Sequence, residues 1–421
     1  MEKFLSPYLC GYRQGFSAQH ALLSMLKKWR KSVDKGGFAG GVLMNLSKAF
    51  DTLNHDLLIA KLHAYGFDKD SLRLLKSYLT DRWQRTKINN SFSSWKSLLI
   101  GVPQGSVLGP LLFNLFINDL FYVIKSDLCN YADDTTPYAC DVSLEALMNK
   151  LECASDNALD WFRSNGMKLN SRKCKLLVCG HKFENMICKI ENAQVIETHT
   201  VKLLGIQIDS ELTFSSHMNT LCKKASQKLN ALSRLCNLLP FHRRKMLVQA
   251  FFNSQFSYCP LVWMFHNRQI NTRINNLHYR ALRMIYQDEN SSFTELLRKG
   301  GSVTIHDRNL QFLATELYKV VKGIGPPFME EIFSRNPNAT SQDTSVGSRL
   351  KSTFYNFDNP KKVNSGLETL RCLGPKIWDI IPTNLRNIDT LSLFKKKIKD
   401  WIPKRCPCRL CKTYIPQIGF L

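Results

Sequence analysis

The spacing of apolar residues splits the chain into an alternating front half and a helical back half. Ala21, Leu22, Met25, Leu26, Trp29 and Val33 recur at helical spacing behind Ser17, whose hydroxyl can accept from the free N–H groups of a first turn. That helix stops at Gly36-Gly37. Residues 41–46 are a short apolar run and read as a buried strand. Asp51 is expected to open the next helix, with Leu53, Leu57, Leu58, Leu62 and Tyr65 on one face and Gly66 as its stop. Residues 72–79 continue helically, and 85–100 alternate as a hairpin or edge strand would. An apolar helix at 107–120 follows a Pro-Gln-Gly loop, and 129–139 read as strand, tight turn, strand. Leu144, Leu147, Met148, Leu151, Ala158, Leu159 and Phe162 make an amphipathic helix ending near Gly166. Strands follow at 175–178 and 201–208. The alternation predicts an α+β fold, a sheet covered by helices on one face.

From 216 to 286 the pattern is helical, broken at Pro240 and Pro260. Residues 336–348 are polar, lack aromatics and are expected to be a flexible linker. Asn338-Ala-Thr340 matches the glycosylation sequon, a chance match without a secretory route. Residues 374–401 read as helical and basic, and no internal repeat is present. A length of 421 residues implies two or three domains. No apolar run reaches a membrane span, and the N-terminus lacks the features of a signal peptide. The expected location is cytoplasmic or nuclear, not secreted, where thiols stay reduced.

Charge adds a partner. Lys+Arg total 58 against 34 Asp+Glu, a net +24, which points to a polyanion and most naturally to nucleic acid. The excess is dispersed over Lys27, Lys28, Arg30 and Lys31, then Lys223, Lys224 and Lys228, then Arg243, Arg244 and Lys245, then 395–399. Such dispersal suits a protein tracking a long backbone. Among the 14 cysteines, Cys129, Cys174 and Cys259 sit in apolar surroundings and read as core. Cys406, Cys408 and Cys411 form C-x-C-x-x-C with no histidine following; a tetrahedral zinc site takes four ligands, and Cys372 could join only through the fold. Zinc is therefore not expected.

The chemistry gathers at Tyr131-Ala-Asp-Asp134. Asp133 and Asp134 lie between strand-like segments, where two adjacent acids repel unless a divalent cation neutralises them. Hard oxygen ligands suit Mg²⁺, which also takes substrate phosphates. A paired acid at a turn is weak evidence alone. Its context resembles the reverse transcriptases of non-LTR (LINE) retrotransposons, of jockey and CR1 type. YADD resembles their [YF]-x-D-D box. Gly101-Val-Pro-Gln-Gly-Ser-Val-Leu-Gly-Pro110 with LLFNLFINDL resembles their P-Q-G block, and Leu46-Ser-Lys-Ala-Phe-Asp-Thr-Leu-Asn-His55 their first aspartate block. Asn165-Gly-Met-Lys-Leu-Asn170 with Lys173, and Leu203-Leu-Gly-Ile-Gln-Ile208, resemble the fourth and fifth. GPKIWDIIP, FKKKIK and CPCRLCKTYIPQIGF are similar to the ends of such polyproteins, so the resemblance covers essentially the whole chain.

The resemblance implies a right-hand polymerase. Its parts are a remnant of fingers at 1–40, a palm with a split β-α-β sheet and finger elements at 41–210, a helical thumb at 211–300, and a basic helical C-terminal region at 301–421. It implies RNA-templated DNA synthesis from a DNA primer at a nicked target, with deoxynucleoside triphosphates and two Mg²⁺ ions. Asp133 and Asp134 would bind metal. Gln104 and Gly105 would shape the floor under nucleotide and template. Phe50 would be the steric gate against a ribose 2′-hydroxyl, and Lys173 would protonate the leaving pyrophosphate. Residues 203–208 would be the hairpin gripping the primer end, and the helix at 223–234 would touch backbone phosphates. Two positions depart from the pattern. Asn45 stands where the family has its first catalytic aspartate, five residues before Phe50, and removes one anion of three. Pro137 removes a ladder donor beside the turn and is expected to disturb the hairpin. The endonuclease and the front of the fingers, which precede this point in the family, are not in this sequence. The expectation is an impaired or inactive polymerase; the alternative is a noncatalytic RNA- or DNA-binding protein derived from one.

Overall fold

The computed structural model describes residues 4–333 apart from 183, then 354, 360–362, 366–403, 406–412, 414–415 and 419–420. The expected linker at 336–348 and the Asn338 sequon lie outside the described residues. The chain forms two compact units, Met1–Leu204 and Gly205–Leu421.

In the first unit Ser17 caps helix α1 (Ala18–Asp34), its side chain accepting from the His20 N–H. Strand β1 (Phe38–Leu43) begins earlier than the apolar run alone indicates. Asn54, not Asp51, caps α2 (His55–Ala64) by accepting from the Leu57 N–H at 3.0 Å, because a 3₁₀ turn at Ala49–Asp51 intervenes. Helix α3 (Lys69–Leu79) leads into nested hairpins, β2 (Arg82–Gln84) with β5 (Lys96–Leu98) outside β3 (Lys87–Ile88) with β4 (Ser91–Phe92). The apolar helix divides into α4 (Leu108–Ile117) and α5 (Leu120–Val123) at Asn118, whose amide accepts from the Ser6 N–H and donates to the Phe4 carbonyl.

Strands β6 (Asp127–Tyr131) and β7 (Asp134–Asp141) follow, then α6 (Leu144–Ser164) and β8 (Lys175–Cys179). The sheet order is β6-β7-β1-β8, with every neighbour antiparallel. Helices cover both faces rather than one. A Cβ at Gly41 would lie 3.0 Å from Trp29 of α1, and one at Gly40 would lie 3.0 Å from Leu151 of α6. Successive strand residues point to opposite faces, so the paired glycines let one helix approach from each side. Pro137 leaves the β6–β7 ladder continuous, opposite Leu128. The β7–β1 ladder breaks instead, between Gly41↔Tyr138 and the single bridge Met44↔Thr135. The missing N–H therefore opens the sheet on the β1 side.

A hairpin of β9 (Ile187–Ile190) and β10 (Ala193–Ile196) was not evident from the sequence, being short and half polar. It buries Cys188, Ile190 and Val195. The stretch read as one strand at 201–208 is two, β11 (Thr200–Leu203) in the first unit and β12 (Ile206–Asp209) in the second, because Leu204 and Gly205 both adopt positive φ.

The second unit is helical: α7 (Ser215–Cys236), α8 (Phe241–Phe251), α9 (Pro260–Trp263), α10 (Arg268–Tyr286), α11 (Phe293–Lys299), α12 (Ile305–Val321) and α13 (Phe328–Phe333). Then come α14 (Leu370–Asp379), α15 (Thr383–Arg386), α16 (Leu391–Lys397), α17 (Arg409–Lys412) and the short pair β13 (Tyr414–Ile415) and β14 (Gly419–Phe420). Helix α12 is central. Its Tyr318 stacks on Phe394 at 4.1 Å and donates to the Ile388 carbonyl at 2.6 Å. Among the described residues, no helix is long and apolar enough to cross a membrane.

Candidate functional site

The β6–β7 register pairs Tyr131 with Asp134, so Ala132 and Asp133 form the tip of the hairpin. Ala132 has φ 57°, a left-handed conformation that costs a residue with a Cβ. Asn130 holds it there: the buried amide donates to the Ala132 carbonyl at 3.0 Å and to the Thr135 hydroxyl at 3.1 Å. Asp133 is half-buried and Asp134 is exposed. The Asp134 carboxyl nevertheless titrates above its ordinary value, because protein atoms around it desolvate the anion and the Asp133 charge stands beside it.

The Met44 N–H donates to the Thr135 carbonyl at 3.0 Å. Gly41↔Tyr138 and Met44↔Thr135 share one register, and its continuation by one residue sets Asn45 across from Asp134. The Asn45 carbonyl accepts from the Asn170 N–H at 2.8 Å, which ties the 3₁₀ turn Ser171–Lys173 to the same strand end, with Lys173 exposed.

Phe50, Gln104 and Gly105 belong to a second group. The half-buried Phe50 ring stacks on Phe113 at 4.2 Å, and its carbonyl accepts from the Val102 N–H at 3.0 Å. Gly101 has φ 84°, and a Cβ there would lie 2.7 Å from the Asp51 carbonyl oxygen, so this loop closes only on glycine. The Gly101 carbonyl meets a His55 ring nitrogen at 2.7 Å and accepts from the Arg82 guanidinium at 2.6 Å. Gln104 is exposed and donates to the Asp51 carboxylate at 2.7 Å; Gly105 is exposed with φ 79°.

Tyr12 links the groups. Its ring stands edge-on to Phe50 at 6.0 Å, and its phenol is pushed above the ordinary value by burial and then by the charge of Asp133. Nothing in the spacing of the first sixteen residues marks this. The segment runs along the hairpin, with Leu9 bridged to Asn130, and a Cβ at Gly11 would lie 2.5 Å from the Ala132 nitrogen.

Residues 1–208 match the family described as reverse transcriptase (RNA-dependent DNA polymerase). A probable RNA-directed DNA polymerase from transposon BS of Drosophila melanogaster is 28% identical over 304 residues, covering 67% of this chain and 33% of that protein. The RNA-directed DNA polymerase from mobile element jockey of Drosophila melanogaster is 27% identical over 237 residues, covering 53% of this chain and 26% of that protein. The chain belongs to the reverse transcriptases of non-LTR retrotransposons. It spans a third or less of the length of these two relatives. Among solved structures, telomerase from Candida albicans in complex with a fragment of telomeric RNA is 12% identical, with a TM-score of 0.33, covering 71% of this chain and 54% of that one.

Two readings of the side chains need correction. Lys223, Lys224, Arg234 and Arg243 are exposed in the helical unit, but Arg244 is buried and donates to the Ile285 and Leu239 carbonyls at 2.9 and 2.8 Å. It closes a helix end and is not available to a phosphate. The C-terminal cysteines do not lack a fourth partner. His306 stands with Cys406, Cys408 and Cys411, their ligand atoms all within 4.8 Å of one another. Cys372 lies on α14 outside this group, with Lys376 at 3.9 Å from its sulfur.

Proposed function

We propose that this chain is the polymerase portion of a non-LTR retrotransposon enzyme that copies an RNA template into DNA from a DNA primer, and that Asn45 holds its activity far below that of relatives with aspartate there. In this reading the sheet of the first unit is the palm of a right-hand polymerase, flanked by finger elements, and the helices from α7 onward supply thumb and basic C-terminal surfaces to the nucleic acid. The supporting observation is the register that sets Asn45 across from Asp134 at the tip carrying Asp133. Cross-strand neighbours share a face of the sheet, so a carboxylate at 45 would complete a three-acid cradle.

The donor set suits Mg²⁺. Asp133 and Asp134 are adjacent and partly exposed to solvent; burial and then the Asp133 charge hold the Asp134 carboxyl above its ordinary value, and a hard divalent cation relieves that cost. Bound Mg²⁺ would stabilise the charge of nucleotidyl transfer. The chain's own groups do the rest. Asn45 offers a neutral amide oxygen in place of an anion. Phe50, whose ring packs against Phe113 and Tyr12, would exclude a 2′-hydroxyl. The Gln104 amide, oriented by Asp51, and the Cβ-free Gly105 form the floor. Lys173, exposed on its turn, can donate a proton to pyrophosphate.

Primer extension on an RNA template with deoxynucleotides tests this, comparing the chain as it stands, Asn45→Asp, and both with the family's preceding fingers segment fused ahead. Synthesis is expected only with Asp at 45, strongest in the fused form. Robust Mg²⁺-dependent synthesis with Asn45 retained refutes the impairment. No synthesis from any form refutes the catalytic assignment.

A further inference from the structure

Three thiols and an imidazole converge at the start of α12 and at the Cys406–Cys411 turn, 102 residues apart for the pair Cys408 and His306. His306, Cys406 and Cys408 are buried and Cys411 is half-buried. The Cys408 sulfur lies 3.4 Å from His306 Nε2. A tetrahedron with ordinary zinc–sulfur and zinc–nitrogen bond lengths sets its ligands roughly 3.5–3.8 Å apart. The observed spacing therefore suits one ion. An iron–sulfur cluster would hold its ligand sulfurs farther apart, because several metal and sulfide atoms stand between them.

The turn is brought to His306 by contacts that need no metal. Thr304 caps α12 by accepting from the Asp307 N–H at 3.1 Å, which fixes the first helical turn carrying His306. Gln311, farther along α12, donates to the Lys399 and Trp401 carbonyls at 2.9 Å each and so draws in the chain that leads to Cys406. Arg409, between the cysteines, donates from its backbone to the Glu368 carboxylate at 3.1 Å. Its guanidinium donates to the Phe265 and His266 carbonyls at 3.3 and 3.2 Å. The ligands are thus gathered in a fixed frame rather than on a loose tail. Burying a polar set of this kind costs solvation that a coordinated cation restores.

We propose that His306, Cys406, Cys408 and Cys411 form a structural zinc site that clamps the C-terminal turn to the first turn of α12. Cys₃His is one of the closed tetrahedral ligand sets of structural zinc. All four positions are filled by protein, so the site has no open coordination place for a substrate. Its function is to hold the 406–411 segment against the helical unit, independently of the Asp133–Asp134 turn.

The full chain, purified in reducing buffer without chelator, is expected to carry about one zinc per molecule by elemental analysis. Cys408→Ser and His306→Ala should each lower that content at least tenfold, and Cys372→Ser should leave it unchanged. Because either site variant can misfold, the wild-type chain carries a second measurement. Stripped of zinc and refilled with Co²⁺, it should show the intense near-ultraviolet bands of thiolate-to-cobalt charge transfer and the visible bands of a tetrahedral ion. A zinc-supplied wild-type chain without metal, a Co²⁺ form without thiolate bands, or full zinc retention by Cys408→Ser overturns the proposal. So does a disulfide among the three cysteines in the reduced, zinc-supplied protein.

Discussion

The Asp133–Asp134 turn and the His306–cysteine cluster are opposite arrangements of side chains that could ligate a metal. The first is local: two adjacent acids on one hairpin, open to solvent, with hard oxygen donors and a neutral amide across the strand. The second is assembled from residues 102 positions apart, mostly buried, with soft donors that all come from the chain. The open site suits an ion that shares its ligands with a substrate; the closed one suits an ion that only fastens. Among the described residues, the one group of three or more His, Cys, Asp or Glu side chains that could hold a metal ion is the cysteine cluster.

Asn45→Asp should produce the largest effect. In the proposed reading a carboxylate across from Asp134 adds one anion to the catalytic site, and such electrostatic elements commonly contribute roughly a hundredfold to a thousandfold in rate. Single-turnover primer extension with the fingers segment supplied measures it; a gain under about threefold would mean that position 45 is not part of the site. Chelating zinc from the wild-type chain should act only on the other region. Hydrogen exchange at 406–411 and at the first turn of α12 should accelerate, with the β6–β7 hairpin unchanged. Equal acceleration at both places would show that the two regions are not independent. Asn130→Ala comes next. It removes a buried amide that satisfies the Ala132 carbonyl and holds a left-handed alanine. A loss of about 1–3 kcal/mol in unfolding free energy is expected, read by denaturant titration. An unchanged midpoint would mean the turn keeps its shape without that amide.

The sequence made the first region legible and hid the second for one reason, which is range. The YADD hairpin, the Ser17 cap and α6 rest on neighbours in the chain, where spacing reports geometry directly. Asn54 displaced Asp51 as a helix cap because an extra 3₁₀ turn shifts the start by a few residues, which apolar periodicity does not resolve. The helices on both faces of the sheet follow from Gly40 and Gly41, whose significance appears only with Trp29 and Leu151 pressed against them. Tyr12 and Gly11 reach the hairpin through tertiary contact, so no local pattern marks them. Pro137 was read for the strand it sits in, whereas its effect falls on β1. His306 had no cysteine within local spacing, and a lone histidine near a helix start is most often an ordinary packed residue. The visible C-x-C-x-x-C was the available signal, and its missing partner lay in a helix elsewhere in the chain.

The smallest effect separates the two regions by sign. Asp134 has its carboxyl pKa raised by desolvation and by Asp133, so the folded state holds that proton more tightly than the unfolded chain does. Above the raised pKa both states are ionised, and the folded state carries the repulsion as a small cost. As pH falls through that pKa, Asp134 protonates in the folded state first and the cost disappears. Asp133→Asn removes the neighbouring charge, though not the desolvation. It should therefore raise the melting temperature of the metal-free protein slightly at neutral pH, with the gain fading at acid pH. Mg²⁺ added to the wild-type chain should raise it in the same pH range, and should do so less in Asp133→Asn, where one anionic ligand is gone. Zinc removal moves stability the other way, since ligands gathered around an ion lose their partner. Thermal melts of wild type and Asp133→Asn across neutral and acid pH, with and without Mg²⁺, measure the pattern. A lower neutral-pH melting temperature in Asp133→Asn would mean that Asp133 is held by attractive contacts rather than strained by its neighbour, and the turn would lose its standing as a site waiting for a cation.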